Sequence, residues 1–228
     1  MPRRHIPKLL AALLLAVISV QAAGSAPNDD WQHWSKDRCE KLLTNSPWSH
    51  TWSGDYGLAY TVQLRSALPI REALVRQQQL LQHYDKMAGA QRMSFDAWTG
   101  QMLDQDSKNA ILVNVYMSRG TENRAIVTSG EALNASLVTE DGKQIRATKT
   151  EMNQLEKGFE ATFPRSVDGA AVIQRAQKYF SVRFLDPETP MLDSVGIATN
   201  RWPVKTPPQS VQVKFDLSKM LFNGELNY

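Results

Sequence analysis

His33 and His50 stand among Trp31, Trp34, Trp48 and Trp52, which are four of the six tryptophans in the 228-residue chain. Histidine can bind a metal or move a proton, and a tryptophan face can stack on a sugar or close a core. His33 and His50 with Asp55, drawn together by the turn at Pro47, would make a three-ligand metal set. The spacing does not favour it: HxH and HExxH are absent, and with Cys39 as the only cysteine no thiolate cluster can form. Solvent-exposed histidines in a polar stretch are the stronger reading. Cys39 and His50 could in principle form a nucleophilic pair. Cys39 falls on the apolar side of a predicted helix, however, where desolvation raises a thiol pKa and quietens it. There is no GxSxG elbow, no SxxK and no glycine-rich phosphate loop. No catalytic residue, metal ligand or cofactor motif emerges.

Binding residues are what remain. Trp48 and Trp52 follow a helix-ending proline in SPWSHTW and lack periodic apolar context. They either cap the helical part against a strand or present faces to a ligand, with capping the stronger reading. Arg65 and Arg71 flank SALPI as an anion or partner contact, or simply as surface ion pairs. Trp202 sits in a proline-rich stretch. The candidate binding set is therefore Trp48, His50, Trp52, Arg71 and Trp202.

The elements that must position these residues follow from periodicity. Asn28, Asp29 and Asp30 offer N-cap oxygens for a helix over 31–44, whose apolar side carries Trp31, Trp34, Cys39 and Leu42. Pro47 ends it. Residues 58–64 alternate as a strand with one face covered. Pro69 opens a second helix, PIREALVRQQQLLQHYDKM, and Ser94 is the predicted N-cap of a third that presents Phe95, Trp98 and Met102.

From Asn109 the period becomes alternating. Strands are predicted around 111–117, 133–139, 159–163, 179–185 and 211–217, with hairpin pairs at Asp141-Gly142, Asp168-Gly169 and Asn223-Gly224. This pattern predicts an immunoglobulin-like antiparallel β-sandwich. The fold expectation is α+β: a mainly helical region over 27–107 with one or two strands, then a sandwich over 108–228. Residues 185–210 read as a long surface connection.

Residues 1–26 have the three parts of an export signal: basic Arg3, Arg4 and Lys8, an apolar run from Leu9 to Val20, and small residues before a cut at Ala22 or Ala26. The run is shorter than the ~20 apolar residues a membrane span needs. Arg3-Arg4 also loosely fits a twin-arginine signal, although a run this apolar suits the general secretory route better. The formal charge of +3 falls to zero once the three basic signal residues are gone. No local Lys/Arg cluster is visible either, so nucleic acid is an unfavoured partner. The lone cysteine in an exported chain allows no internal disulfide and is expected to be buried.

CEKLLTNSPW, SALPIREAL, FDAW, ATFPRSVDG and VKFDLSKMLFNGELNY resemble, in order and spacing, a family of uncharacterised exported proteins from environmental bacteria. The resemblance runs across nearly the whole chain after the signal. It implies bacterial export, a helical N-terminal part and an immunoglobulin-like sandwich, and it carries no catalytic residue across. The functional expectation is a periplasmic or extracellular, non-enzymatic interaction protein that docks another protein. Glycan or cell-wall binding through exposed tryptophan is one alternative, and a hydrolase with a site assembled from distant residues is another.

Overall fold

The computed structural model describes residues 30–54, 59–104, 109–119, 133–153, 158–185, 210–222 and 224–228. Residues 1–26, read above as an export signal, and Trp202, Asp55 and most of the 185–210 connection lie outside them. Among the described residues there are three α-helices and two main antiparallel sheets. The helices are α1 (Lys36–Thr44), α2 (Leu68–Leu81) and α3 (Gly89–Asp104). The first sheet has the order β1-β2-β3-β7-β6, formed by Ser49–Ser53, Ala59–Leu64, Ala110–Arg119, Gly158–Pro164 and Lys149–Asn153. The second has the order β11-β10-β4-β5, formed by Ser210–Asp216, Tyr179–Leu185, Ser136–Thr139 and Gln144–Arg146. Two small ribbons complete it: β8 (Ser166–Val167) with β9 (Ala170–Ala171), and β12 (Leu221–Phe222) with β13 (Glu225–Leu226).

This arrangement corrects the expectation of a helical N-terminal region followed by an immunoglobulin-like sandwich. The protein is mostly antiparallel β. SPWSHTW, for which the sequence predicts no strand, supplies Ser49 to Trp52 of strand β1. Together β1 and β2 form one side of the sheet whose other strands come from the second half, with Val62 opposite Val115 and Leu64 opposite Val113. The physical reason is that a strand buried at every residue has no water for its amides and carbonyls, so the 59–64 strand pairs on both edges. All six residues of β2 are buried, rather than one face of it.

The two sheets share one core. Tyr60, Val62 and Leu64 of β2 lie in it with Val113, Val115, Phe159 and Phe163, against Phe180, Val182, Phe184 and Phe215 of the second sheet. Ring contacts cross between the layers: Phe184 meets Phe159 at 5.2 Å and Tyr60 at 6.0 Å between centroids. The other face of β1 and β2 is covered by the C-terminal end of α1. There Ser49 Oγ and Gln63 Nε2 both donate to the Leu43 carbonyl at 2.6 Å, and Thr51 Oγ1 donates to the Thr44 carbonyl at 3.2 Å. These bonds explain how the polar residues on this face of β1 and β2 are accommodated.

Local differences have local causes. The single helix predicted over 31–44 is split. Asp30 caps a 3-10 turn at Trp31–His33, Trp34 is extended, and Ser35 caps α1 by accepting from the Arg38 amide at 3.3 Å. A serine in extended geometry competes with helix through its own hydroxyl. Helix α2 has Pro69 in its first turn, as predicted, but it stops at Leu81, and His83 adopts a left-handed φ of 51°. Helix α3 begins at Gly89, and Ser94 donates to the Ala90 carbonyl at 3.2 Å instead of capping. Asp168 and Gly169 both have positive φ, 54° and 77°, the type I′ geometry their sequence demands.

A candidate binding cleft beside His50

An open cleft of about 1230 Å3 lies where the end of α1, strand β1, strand β11 and the β12–β13 ribbon converge. Each wall is fixed by local chemistry. Asp216 ends β11 and caps the 3-10 turn Leu217–Lys219, accepting from the Ser218 amide at 3.0 Å and hydroxyl at 2.7 Å. Those bonds, the hydroxyl's first, hold its carboxyl below the usual aspartate range. The Leu217 amide donates to the Lys178 carbonyl at 2.9 Å, and the Lys178 amide donates to Glu140 Oε2 at 2.8 Å. The strip leading into β10 is thereby pinned beside the end of β11.

The opposite wall is the turn between α1 and β1. Ser46 Oγ donates to the Leu42 carbonyl at 2.7 Å, and Ser46 and Ser49 exchange backbone bonds at 2.8 and 3.2 Å. Trp48 sits behind this turn, 6% exposed. Its Nε1 donates to the Asn227 carbonyl at 2.7 Å, and its ring meets Phe222 edge-on at 6.3 Å. Trp48 thus holds the C-terminal ribbon in place, with no face open to a ligand.

The cleft is basic. Lys41, Arg175, Lys178, Lys214 and Lys219 line it, against Asp216 as the only acidic lining residue among the described residues. Lys219 Nζ is 3.4 Å from Asp216 Oδ2, and among the described lining residues no second carboxylate faces the other four cations. Lys214 Nζ lies 3.5 Å from the centroid of the Tyr179 ring. Pro47, Leu221 and Leu226 add apolar surface. His50 also lines the cleft, its ring 4.9 Å from that of Phe215. Burial first, and then the charge of Lys219, push the His50 pKa below its ordinary value, so the ring is neutral at pH 7.

Of the residues singled out by sequence, the structure places only His50 in the cleft lining, with Trp48 behind it. Trp52 is half-buried and stacks on Tyr60 at 6.0 Å. Arg71 is 6% exposed, and its Nη1 donates to the Leu103 carbonyl, tying the start of α2 to the end of α3. It is removed from the surface where an anion contact was expected. Trp202 lies outside the described residues. Cys39 is buried on α1, and burial pushes its thiol pKa up. Among the described residues no group of three or more His, Cys, Asp or Glu side chains could hold a metal ion, and no helix is long and apolar enough to cross a membrane.

No family model matches this chain. Neither the curated proteins nor the solved structures include one significantly similar to it. The cleft residues must therefore be read from their own chemistry.

Sequence reasoning missed the basic cluster, having found none along the chain. Its five cations come from α1, the strip before β10, the end of β11 and the turn after it. No short window of sequence contains more than two of them. The one available signal was that Tyr179 opens, and Lys214 nearly closes, two strands predicted to be consecutive, so antiparallel pairing would set them side by side at the end away from their connection.

Proposed function

We propose that this chain is an exported, non-enzymatic interaction protein of the bacterial envelope or exterior that docks another protein in the cleft beside His50. The observation that carries the reading is the cleft's combination of concave shape, apolar patches and five cations against a single carboxylate, Asp216, among the described lining residues. Protein docking sites join an apolar centre to a charged rim that sets orientation and encounter rate. The export-signal pattern of residues 1–26 supports the compartment, as does the resemblance to exported bacterial proteins. Glycan binding through tryptophan is less well supported, because Trp48 is enclosed and one face of Trp52 is turned to Tyr60.

The test is affinity capture from envelope extract with the full chain and with a Lys178→Glu/Lys214→Glu variant. A reproducible partner that the variant fails to retain is the expected result. If no partner is recovered, or if both proteins recover the same one equally, the docking reading fails.

A further inference from the structure

We infer that the occupant of this cleft is an acidic, extended peptide segment, with carboxylates directed at Lys178, Lys214, Lys41 and Arg175 and apolar side chains laid on Pro47, Leu221 and Leu226. This rests on the reading of the cleft as a docking site and names the chemistry it selects.

Three features separate a carboxylate-bearing peptide from other anions. First, the cations are spread around the rim on four separate segments, and all but Arg175 are lysines. Lysine acts as a point charge on a flexible stem and suits carboxylates spaced along a chain, whereas a compact phosphate dianion is better held by arginine forks or a helix N-terminus. The helix end that borders this cleft is the C-terminal end of α1, through Lys41 and Asn45, and its dipole disfavours a concentrated negative charge. Second, little free aromatic surface is offered to an acidic sugar, for Tyr179 is half-buried with one face taken and Phe215 is buried. Lys214 lies over Tyr179, and Phe215 stands against His50. Third, apolar surface lies beside the charges, as side chains alternating with carboxylates require.

Lys214 and Lys219 are also held at the cleft. One rests on the Tyr179 ring and the other is drawn to Asp216, so less side-chain freedom is lost when an anion arrives.

The test uses the full chain and a short dye-labelled peptide of alternating glutamate and leucine, read by fluorescence anisotropy at low and moderate salt. A glutamine/leucine peptide, inorganic phosphate and polygalacturonate serve as competitors. The glutamate peptide is expected to bind, to weaken steeply with salt, and to lose about tenfold or more in affinity with Lys178→Glu/Lys214→Glu. Lys149→Glu, an exposed change on β6 of the other sheet, should leave binding within about twofold. Circular dichroism confirms that each variant keeps its fold.

The inference is overturned if the glutamate peptide does not bind, if the glutamine peptide binds equally, or if Lys149→Glu weakens binding as much as the cleft variant. Polygalacturonate or phosphate competing more strongly than unlabelled glutamate peptide would overturn it too. Should peptides fail while envelope capture still depends on Lys178 and Lys214, the acidic-segment chemistry falls and the docking site stands. Should capture be indifferent to those lysines, the docking site itself falls.

Discussion

Glu72→Gln should stabilise this protein at alkaline pH and hardly change it in acid. Glu72 lies on α2, 9% exposed, and its Oε2 is buried with no hydrogen-bond partner among the described residues. Arg76, one turn further on, is the usual helical partner for such a carboxylate. Its guanidinium is engaged elsewhere, Nε with the Trp34 carbonyl at 3.0 Å and Nη1 with Gln79 Oε1 at 3.1 Å. Burial pushes the Glu72 pKa from the usual 4.5 up to about 7; the neighbouring Arg71 charge opposes the rise and Asp30 adds to it.

The folded state therefore holds a proton between pH 4.5 and about 7 that the unfolded chain has released. Stability is full below 4.5 and is lost as pH rises through about 7. At about 1.4 kcal/mol for each tenfold change in acidity, the loss reaches about 3 kcal/mol as an upper bound. Access of water to a partly relaxed site reduces this to about 2 kcal/mol.

Glutamine keeps the shape of the neutral acid without the charge. Urea unfolding at about pH 8 should show the variant more stable by about 2 kcal/mol, a midpoint shift of about 1 M if m is about 2 kcal/mol per molar. At about pH 4.5 the two proteins should unfold together. The opposite sign at pH 8, with the variant weaker than the parent, would mean that Glu72 is ionised and firmly paired with Arg71, and the burial argument would be refuted.

Other consequences are as direct. Trp48→Phe removes the donor to Asn227 and should cost about 1–2 kcal/mol, read by urea unfolding, while Trp48→Ala should cost about 3–5 kcal/mol and expose the C-terminal ribbon to protease. A Cβ at Gly158 would collide with the Val115 carbonyl across the β3–β7 pairing, so Gly158→Ala should lower the melting temperature by several degrees, or about 2 kcal/mol, whereas Gly89→Ala, with open space around it, should not. Acidic-peptide binding should tighten as pH falls from 7.5 to 5.5, because an anion favours the protonated form of His50, and His50→Gln should flatten that dependence. Cys39 should react with iodoacetamide only when urea opens the core, and fast labelling of the native protein would contradict its burial.

Patterns carried by neighbouring residues were legible without a structure. Alternation located β2, β3, β7, β10 and β11 to within a few residues, Pro69 marked the start of α2, and Asp168-Gly169 is the tight turn it spells. These follow from backbone sterics and from the two-residue period of a strand, which act over a handful of positions. Strand β1 was not legible, because Ser49, Thr51 and Ser53 alternate with His50 and Trp52 and look like a polar loop. Their hydroxyl-bearing face becomes acceptable only once the carbonyls of Leu43 and Thr44 are set against it.

The tryptophan cluster divides for the same reason. Trp34 and Trp48 are both buried, Trp34 in the extended break before α1 and Trp48 in the turn after it, but only the fold sets the Asn227 carbonyl at the Trp48 indole, 179 positions away in sequence. The cleft is the extreme case. Lys41 and Lys178 have no reason to be read together in a chain whose charges balance beyond residue 26, and it is the packing of one sheet on the other that brings them to one rim. Local sterics and periodicity determined the elements of this protein. The joining of β1 to the sheet and the meeting of distant charges were decided by the burial of a shared core, which no short window of sequence records.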